Sequence, residues 1–163
     1  MQSQQTATDC VSDITLIDQF GADWVDQILE IEKLSFSNPW SRDSFLSELN
    51  SKNSIRFAAL SDSQLVGYLF AHRIEDELEV LEFAVSKAER GKGIGRRLIT
   101  KLIDHARATS TSRILLELRH SNHEAFCLYD TCGFKPYGVR QAYYRNPQED
   151  ALLMQFVTNR PNL

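Results

Sequence analysis

Three features of the chain combine residue types and spacing that suit chemistry. The first is Arg90-Gly91-Lys92-Gly93-Ile94-Gly95, followed by Arg96 and Arg97, where the apolar strand pattern Glu82-Phe83-Ala84-Val85 gives way to a helix pattern. Glycines let main-chain N–H groups approach an anion, and a helix start adds unpaired N–H groups and the positive end of its dipole. With the charges of Lys92, Arg96 and Arg97, the segment reads as a seat for phosphates, although a tight strand-to-helix connection would use glycines too. The spacing narrows the ligand. No serine or threonine follows a Gly-Lys pair as a Walker loop requires, and Gly91, Gly93 and Gly95 do not match G-x-G-x-x-G.

The second feature is Glu117. Alternation in Ile114-Leu115-Leu116-Glu117-Leu118-Arg119 puts Ile114, Leu116 and Leu118 on one strand face and Leu115, Glu117 and Arg119 on the other. A carboxylate in a central strand covered by helices is costly unless paired or used, so Glu117 either pairs with Arg119 or acts as a general base. The third feature is Tyr129, in Ala125-Phe126-Cys127-Leu128-Tyr129-Asp130-Thr131-Cys132-Gly133-Phe134. Taken alone it reads as a core aromatic whose phenol reaches water. Ser121 with Glu124 matches a capping box at the start of that helix.

Together these segments carry a family resemblance. Arg90 to Gly95 fits [RQ]-x-x-G-x-[GA], which resembles the pyrophosphate-binding turn of the GCN5-related N-acetyltransferase (GNAT) superfamily. Asn122 with Ala125, Leu128, Tyr129, Gly133 and Phe134 resembles its second cofactor-binding segment. The resemblance runs from about Ile14 to Val157. Within the superfamily the chain is most similar to the bacterial RimI group, the ribosomal-protein-alanine N-acetyltransferases. The similarity lies in Phe36-Ser37-Asn38-Pro39-Trp40-Ser41, in Leu116 to Arg119 with Ser121-Asn122, and in Tyr143-Tyr144 before Glu149-Asp150-Ala151.

The resemblance implies acetyl-coenzyme A as cosubstrate and no metal. Phe83, Ala84 and Val85 would present main-chain groups to the pantetheine and thioester, and Arg90, Gly91, Lys92, Gly93, Ile94, Gly95 and Arg96 would hold the pyrophosphate. Asn122 would also contact the cofactor. Glu117 would be the general base and Tyr129 the general acid. The acceptor would be the N-terminal amine, alanine's, of a ribosomal protein, with Trp40, Tyr143 and Tyr144 lining the peptide cleft unless they fill the core. Relatives usually carry Asn-Ile-Ala-Val where Glu82-Phe83-Ala84-Val85 stands, and often a proline where Arg145 stands. Acetylation of another amine and a noncatalytic acyl-coenzyme A sensor are the competing readings.

The elements that must position these residues follow from periodicity. Ile14 and Leu16 suggest a first strand with Phe20 at its exit, and Trp24, Ile28 and Ile31 share one helical face. Ser41 caps a short helix carrying Phe45 and Leu49. Residues 55–60 and 65–73 form strands about a polar turn, and another strand follows Glu75-Asp76-Glu77. Gly93 to Ala108 is the clearest helix; then come a strand at 113–119, a helix at 121–132 ended by Gly133, and paired strands at 137–144 and 151–157. The expected fold is α/β (α+β), a GNAT fold with a central, mostly antiparallel mixed sheet flanked by helices on both faces. It forms one domain at 12–158 between tails at 1–11 and 159–163.

With 163 residues, 42% of them hydrophobic and 25% charged, the chain has the composition of a single globular domain. A net charge of −4 argues against a nucleic-acid binder. No apolar run approaches a membrane span and no signal-peptide pattern is present, so the cytoplasm is expected. Cys10, Cys127 and Cys132 read as free, buried thiols. A zinc site from His120, His123, Cys127 and Cys132 is disfavoured, because Cys127 and Cys132 lie about 140° apart around a helix. Glu75, Asp76, Glu77, Glu79 and Glu82 either attract a basic N-terminus or form a solvated hairpin.

Overall fold

The computed structural model describes residues 13–158, so Cys10 and both expected tails lie outside the described residues. The element order is β1 (Ile14–Asp18), α1 (Val25–Ser35), α2 (Arg42–Leu49), β2 (Ser54–Ser61), β3 (Gln64–Ile74), β4 (Glu77–Val85) and α3 (Ile94–Ala108). It continues with β5 (Arg113–Arg119), α4 (His123–Thr131), β6 (Lys135–Tyr144) and β7 (Glu149–Val157). Short 3-10 turns at Ala22–Trp24 and Lys87–Glu89 precede α1 and the glycine turn. Trp24 therefore stands just ahead of α1 rather than on its face, while Ile28 and Ile31 are buried as expected.

Local chemistry sets the boundaries. Asp62 and Ser63 link β2 to β3 with φ of +48° and +64°, the paired left-handed residues of a two-residue hairpin. The Ser41 hydroxyl caps α2, accepting from Ser44 N at 3.1 Å. At α4 the expected capping box does not form. The helix starts at His123, and the Asn122 side chain caps it by accepting from Ala125 N at 3.1 Å. Ser121 N instead donates to Glu149 Oε1 at 3.0 Å, because β7 brings that carboxylate to it.

The strands form one sheet in the order β1-β2-β3-β4-β5-β7-β6, with β4 and β5 parallel and every other pair antiparallel. The parallel pair requires a crossover, and α3 supplies it. Helices cover both faces. On one, Leu98, Ile99 and Leu102 of α3 and Tyr129 of α4 pack on Leu69, Leu78, Ile114 and Leu116. On the other, Ile28 and Ile31 of α1 and Phe45 of α2 pack on Ala58, Tyr68 and Phe70. Fully burying each large apolar side chain contributes roughly 1.5–3 kcal/mol, so the sheet is clamped from both sides. Among the described residues no helix is long and apolar enough to cross a membrane.

Candidate active site

The sheet opens at its parallel pair. β4 and β5 are in register only at Glu77↔Arg113, Leu78↔Ile114 and Glu79↔Leu115. Beyond these, β4 continues along β3, with a bulge opposite the Phe70/Ala71 step that leaves Leu81 unmatched, and β5 continues along β7. The separating strands leave a wedge walled by residues 80–85 and 116–119. Ser86 N donates to Val66 O at 2.8 Å, so ladder alternation turns the Ala84 main chain toward β3 and those of Phe83 and Val85 into the wedge. Of the three expected main-chain contacts, two thus face the opening and Ala84 does not.

The glycine turn lies at the end of the β4 wall. Gly91 and Gly93 have φ of +77° and +80°, and a Cβ at either would meet nothing within 4 Å. Backbone conformation, not space, demands glycine there. Gly93 is the N-cap of α3 and offers no side-chain cap, so the first N–H groups of the helix have no partner within it. Gly95 serves packing. A Cβ there would come within 3.1 Å of Leu128 Cδ2 and 3.3 Å of Phe83 Cζ.

The charged side chains of the turn have their own partners. Arg90 folds back, its Nε donating to Val85 O at 3.0 Å. Lys92 pairs with Glu89 at 2.9 Å, and Arg96 donates to Thr131 Oγ1 at 3.0 Å, tying α3 to α4. The Ile94 side chain is buried, so only its main chain faces the seat.

Glu117 does not pair with Arg119. Its Oε1 lies 3.1 Å from Arg140 Nη1 of β6, and Tyr143 donates to it, which raises the Tyr143 phenol. Helices α1 and α2 lie over β3 and β4, so its face of β5 stays partly open and the side chain keeps 19% of its exposure. Arg119 turns instead to the β6–β7 turn and Glu149.

Tyr129 is buried between the rings of Phe83 (6.1 Å) and Phe134 (5.7 Å). Burial above all, then the nearby Glu82 and Tyr144, push its phenol well above the usual range. Tyr144 is pushed up to about 12 by burial and by Glu117 and Tyr143. Tyr143 is largely exposed, with Arg140 over its ring at 5.5 Å. Trp40 belongs to the α1/α2 core, its ring 5.1 Å from Phe45.

The five acidic residues do not act as one group. Glu75 sits at the β3–β4 turn, about 23 Å along the strand from Glu82, and Glu77 pairs with Arg113 at 2.5 Å. Glu82 lies opposite Phe70 on the wedge wall. Burial, with Glu32 nearby, pushes its carboxyl up to about 8.

Sequence reasoning missed Glu32. It is fully buried in α1, accepting from Trp40 N at 2.8 Å and from the Tyr68 hydroxyl. The signal was a charge four residues after Ile28, on the apolar stripe. Arg140 was missed as well, because no local pattern links a β6 arginine to a β5 carboxylate. Cys127 is exposed and Cys132 half-buried, contrary to the buried thiols expected, since α4 seats itself on Ala125, Phe126 and Tyr129.

A strand splayed from its parallel neighbour, with an uncapped helix start at one end and carboxyls and phenols in the gap, suits transfer of a group carried on a phosphate-bearing cofactor. The family model described as the acetyltransferase (GNAT) family matches residues 25–134, and the chain belongs to that family. It is 37% identical over 131 residues to the N-alpha-acetyltransferase RimI of Mycobacterium tuberculosis, covering 78% of this chain and 81% of that one. It is 29% identical over 126 residues to the [ribosomal protein bS18]-alanine N-acetyltransferase of Escherichia coli K12, covering 76% and 84%. The crystal structure of the ribosomal-protein-S18-alanine N-acetyltransferase from Escherichia coli superposes with a TM-score of 0.85 at 24% identity, covering 92% and 97%. Arabidopsis thaliana NAA60 in complex with acetyl-CoA gives 0.81 at 16% identity, covering 91% and 100%. Both superpositions speak to the fold.

Proposed function

We propose that this chain is an Nα-acetyltransferase that uses acetyl-coenzyme A to acetylate the N-terminal alanine of a ribosomal protein. The wedge between β4 and β5 carries this reading: it opens at Glu79/Leu115 and holds Glu82, Glu117 and the Tyr129 phenol between its walls. Relatives named for this reaction, aligned over more than three quarters of the chain, support the acceptor.

The residues present fit the cofactor. The left-handed Gly91 and Gly93 open main-chain N–H groups toward a diphosphate at the start of α3, and the Phe83 and Val85 main chains, free of β3, suit an extended amide-bearing arm. Arg96 adds charge beside them, and Asn122, which caps α4, leaves its amide NH2 for a further contact. Acetyl-coenzyme A supplies an acetyl group on a thiol leaving group.

The chain's own groups handle the protons. An α-amine titrates near 7.7–8.0, so at neutral pH much of the acceptor arrives as ammonium. Glu117 Oε takes its proton, held in place by Arg140 and Tyr143. Glu82, on the facing wall, holds its own proton at neutral pH and becomes a second acceptor only as pH rises toward about 8. The Tyr129 phenol, kept protonated by burial, delivers a proton to the departing sulfur.

The test is to incubate the protein with acetyl-coenzyme A and peptides differing only in their first residue, and to locate the acetyl group by fragment mass spectrometry. Acetyl on the α-amine of alanine-initiated peptides, lost in Glu117→Gln, is the expected outcome. Acetyl on lysine alone would overturn the acceptor, and binding without transfer would overturn the enzyme.

A further inference from the structure

Arg119 is the last residue of β5 and shares a strand face with Glu117, two residues earlier. Its guanidinium reaches two separate loops. Nη1 donates to Pro147 O at 2.9 Å and Nη2 to Arg145 O at 3.0 Å, so the β6–β7 turn is held by its main chain. Nη2 also reaches Ser37 Oγ at 3.4 Å, in the loop between α1 and α2. Glu149 Oε2 lies 3.5 Å from Nη1, and the Tyr144 ring lies 4.5 Å from the guanidinium carbon.

We propose that Arg119 is a positioning residue for the acceptor: its planar fork fixes the gap between the β6–β7 turn and the α1–α2 loop, and so the entry to the wedge beside Glu117. This rests on the acetyl-transfer reading for what enters. The clamp itself rests on distances alone.

The geometry separates this role from catalysis and from cofactor binding. Arg119 makes no contact with the glycine turn, and its charge is already met by Glu149 and two carbonyls rather than directed at the wedge. Residues 145–148 are exposed, so without the clamp few contacts define where the turn stands. Because Tyr144 precedes that turn and stacks on Arg119, its phenol near Glu117 is placed by the same side chain. Lysine, a single point charge, cannot bond two carbonyls and a hydroxyl on diverging loops while lying flat on a ring.

The experiment compares Arg119→Lys and Arg119→Ala with the parent protein in acetyl-coenzyme A affinity, in kcat and KM for the acceptor peptide, and in amide hydrogen exchange. We expect KM for the acceptor to rise about tenfold or more in both variants, with kcat within about threefold and acetyl-coenzyme A affinity within about twofold. Exchange should quicken at Ser37, Asn38, Arg145, Asn146 and Gln148 but not along β5 or β7. Unchanged KM with unchanged exchange would overturn the proposal, as would full rescue by lysine. Parallel loss of cofactor affinity would also overturn it, by making the effect one of general structure. If the parent protein acetylates no amine, the functional reading fails by itself, and the exchange data still decide whether Arg119 holds the two loops.

Discussion

The Tyr68 hydroxyl donates to the carboxylate of Glu32, and Glu32 is fully buried between α1 and β3. One carboxylate oxygen thereby fixes a strand, while the other fixes the entry to α2 through Trp40 N. Burial raises the Glu32 carboxyl, and these two bonds oppose that rise. Tyr68→Phe leaves a buried oxygen without its donor, so unfolding in urea should show a loss of about 1–3 kcal/mol. Glu32→Ala also frees Trp40 N and should cost more, whereas Glu32→Gln keeps an acceptor for it and should cost less than Glu32→Ala.

Glu82 makes stability depend on pH in the direction opposite to an ordinary paired carboxylate. Its value in the folded chain, about 8, lies above the 4.5 of an unperturbed glutamate. Between those values the folded chain binds the extra proton, so stability is complete below pH 4.5 and falls as pH rises through 8. Each pH unit in that window removes up to about 1.4 kcal/mol. Glu82→Gln should abolish this decline, matching the parent at pH 4 and exceeding it at pH 9 in thermal melts. The same variant should lower kcat/KM for an α-amine acceptor about tenfold at pH 8 and above, where at least half of Glu82 is ionised, whereas Glu117→Gln should remove transfer at every pH.

Gly91→Ala and Gly93→Ala introduce no clash, so their effect isolates the left-handed backbone. That conformation costs an L-residue about 1–2 kcal/mol, and if the turn relaxes the N–H groups lose their aim. Acetyl-coenzyme A affinity, measured by calorimetry, should fall about tenfold. Gly93→Asn should fall less, since asparagine tolerates this region. Gly95→Ala should behave differently, lowering the melting temperature by pressing on Leu128 and Phe83.

His105 produces an acid-side effect. Burial, with Arg73 and Lys101 near and Asp18 partly opposing them, lowers it from the 6.5 of a free imidazole. Its Nε2 is buried without a hydrogen bond, and its ring packs edge-on against Phe57 at 6.1 Å. The unfolded chain takes up the proton first, so stability falls as pH drops through 6.5 toward the lower folded value. His105→Phe should flatten that decline, seen as a melting temperature nearly constant between pH 7 and 5 when both proteins also carry Glu82→Gln, which removes the opposing dependence.

The sequence made periodic and capped elements legible. The α3 stripe, the Ser41 cap and the β5 bounds at Arg113 and Arg119 appear where alternation and helical spacing put them, since local patterns determine them. The cap of α4 went to Asn122 rather than Ser121 because Glu149, 28 residues away, competes for the Ser121 N–H. Likewise Glu117 found Arg140, and Glu32 found Tyr68 at a separation of 36 residues. Such partners are chosen by sheet order, which places β7 between β5 and β6, and no window of sequence contains that order. The candidate chemistry was therefore readable as residue types, and its pairing was not.

The ladder between β4 and β5 spans three residue pairs, so the sheet is two leaves joined along a short seam. On the proposed reading, the first leaf and the turn that follows it would carry most of the grip for the cofactor. The second, from Arg113 onward, would carry most of what meets the acceptor, including Glu117, Arg140 and the Tyr143-Tyr144 pair, with Arg119 setting the loops around them. On that division, substitutions that redirect the molecule to new amines fall mainly in the second leaf, and those that change its hold on the cofactor mainly in the first.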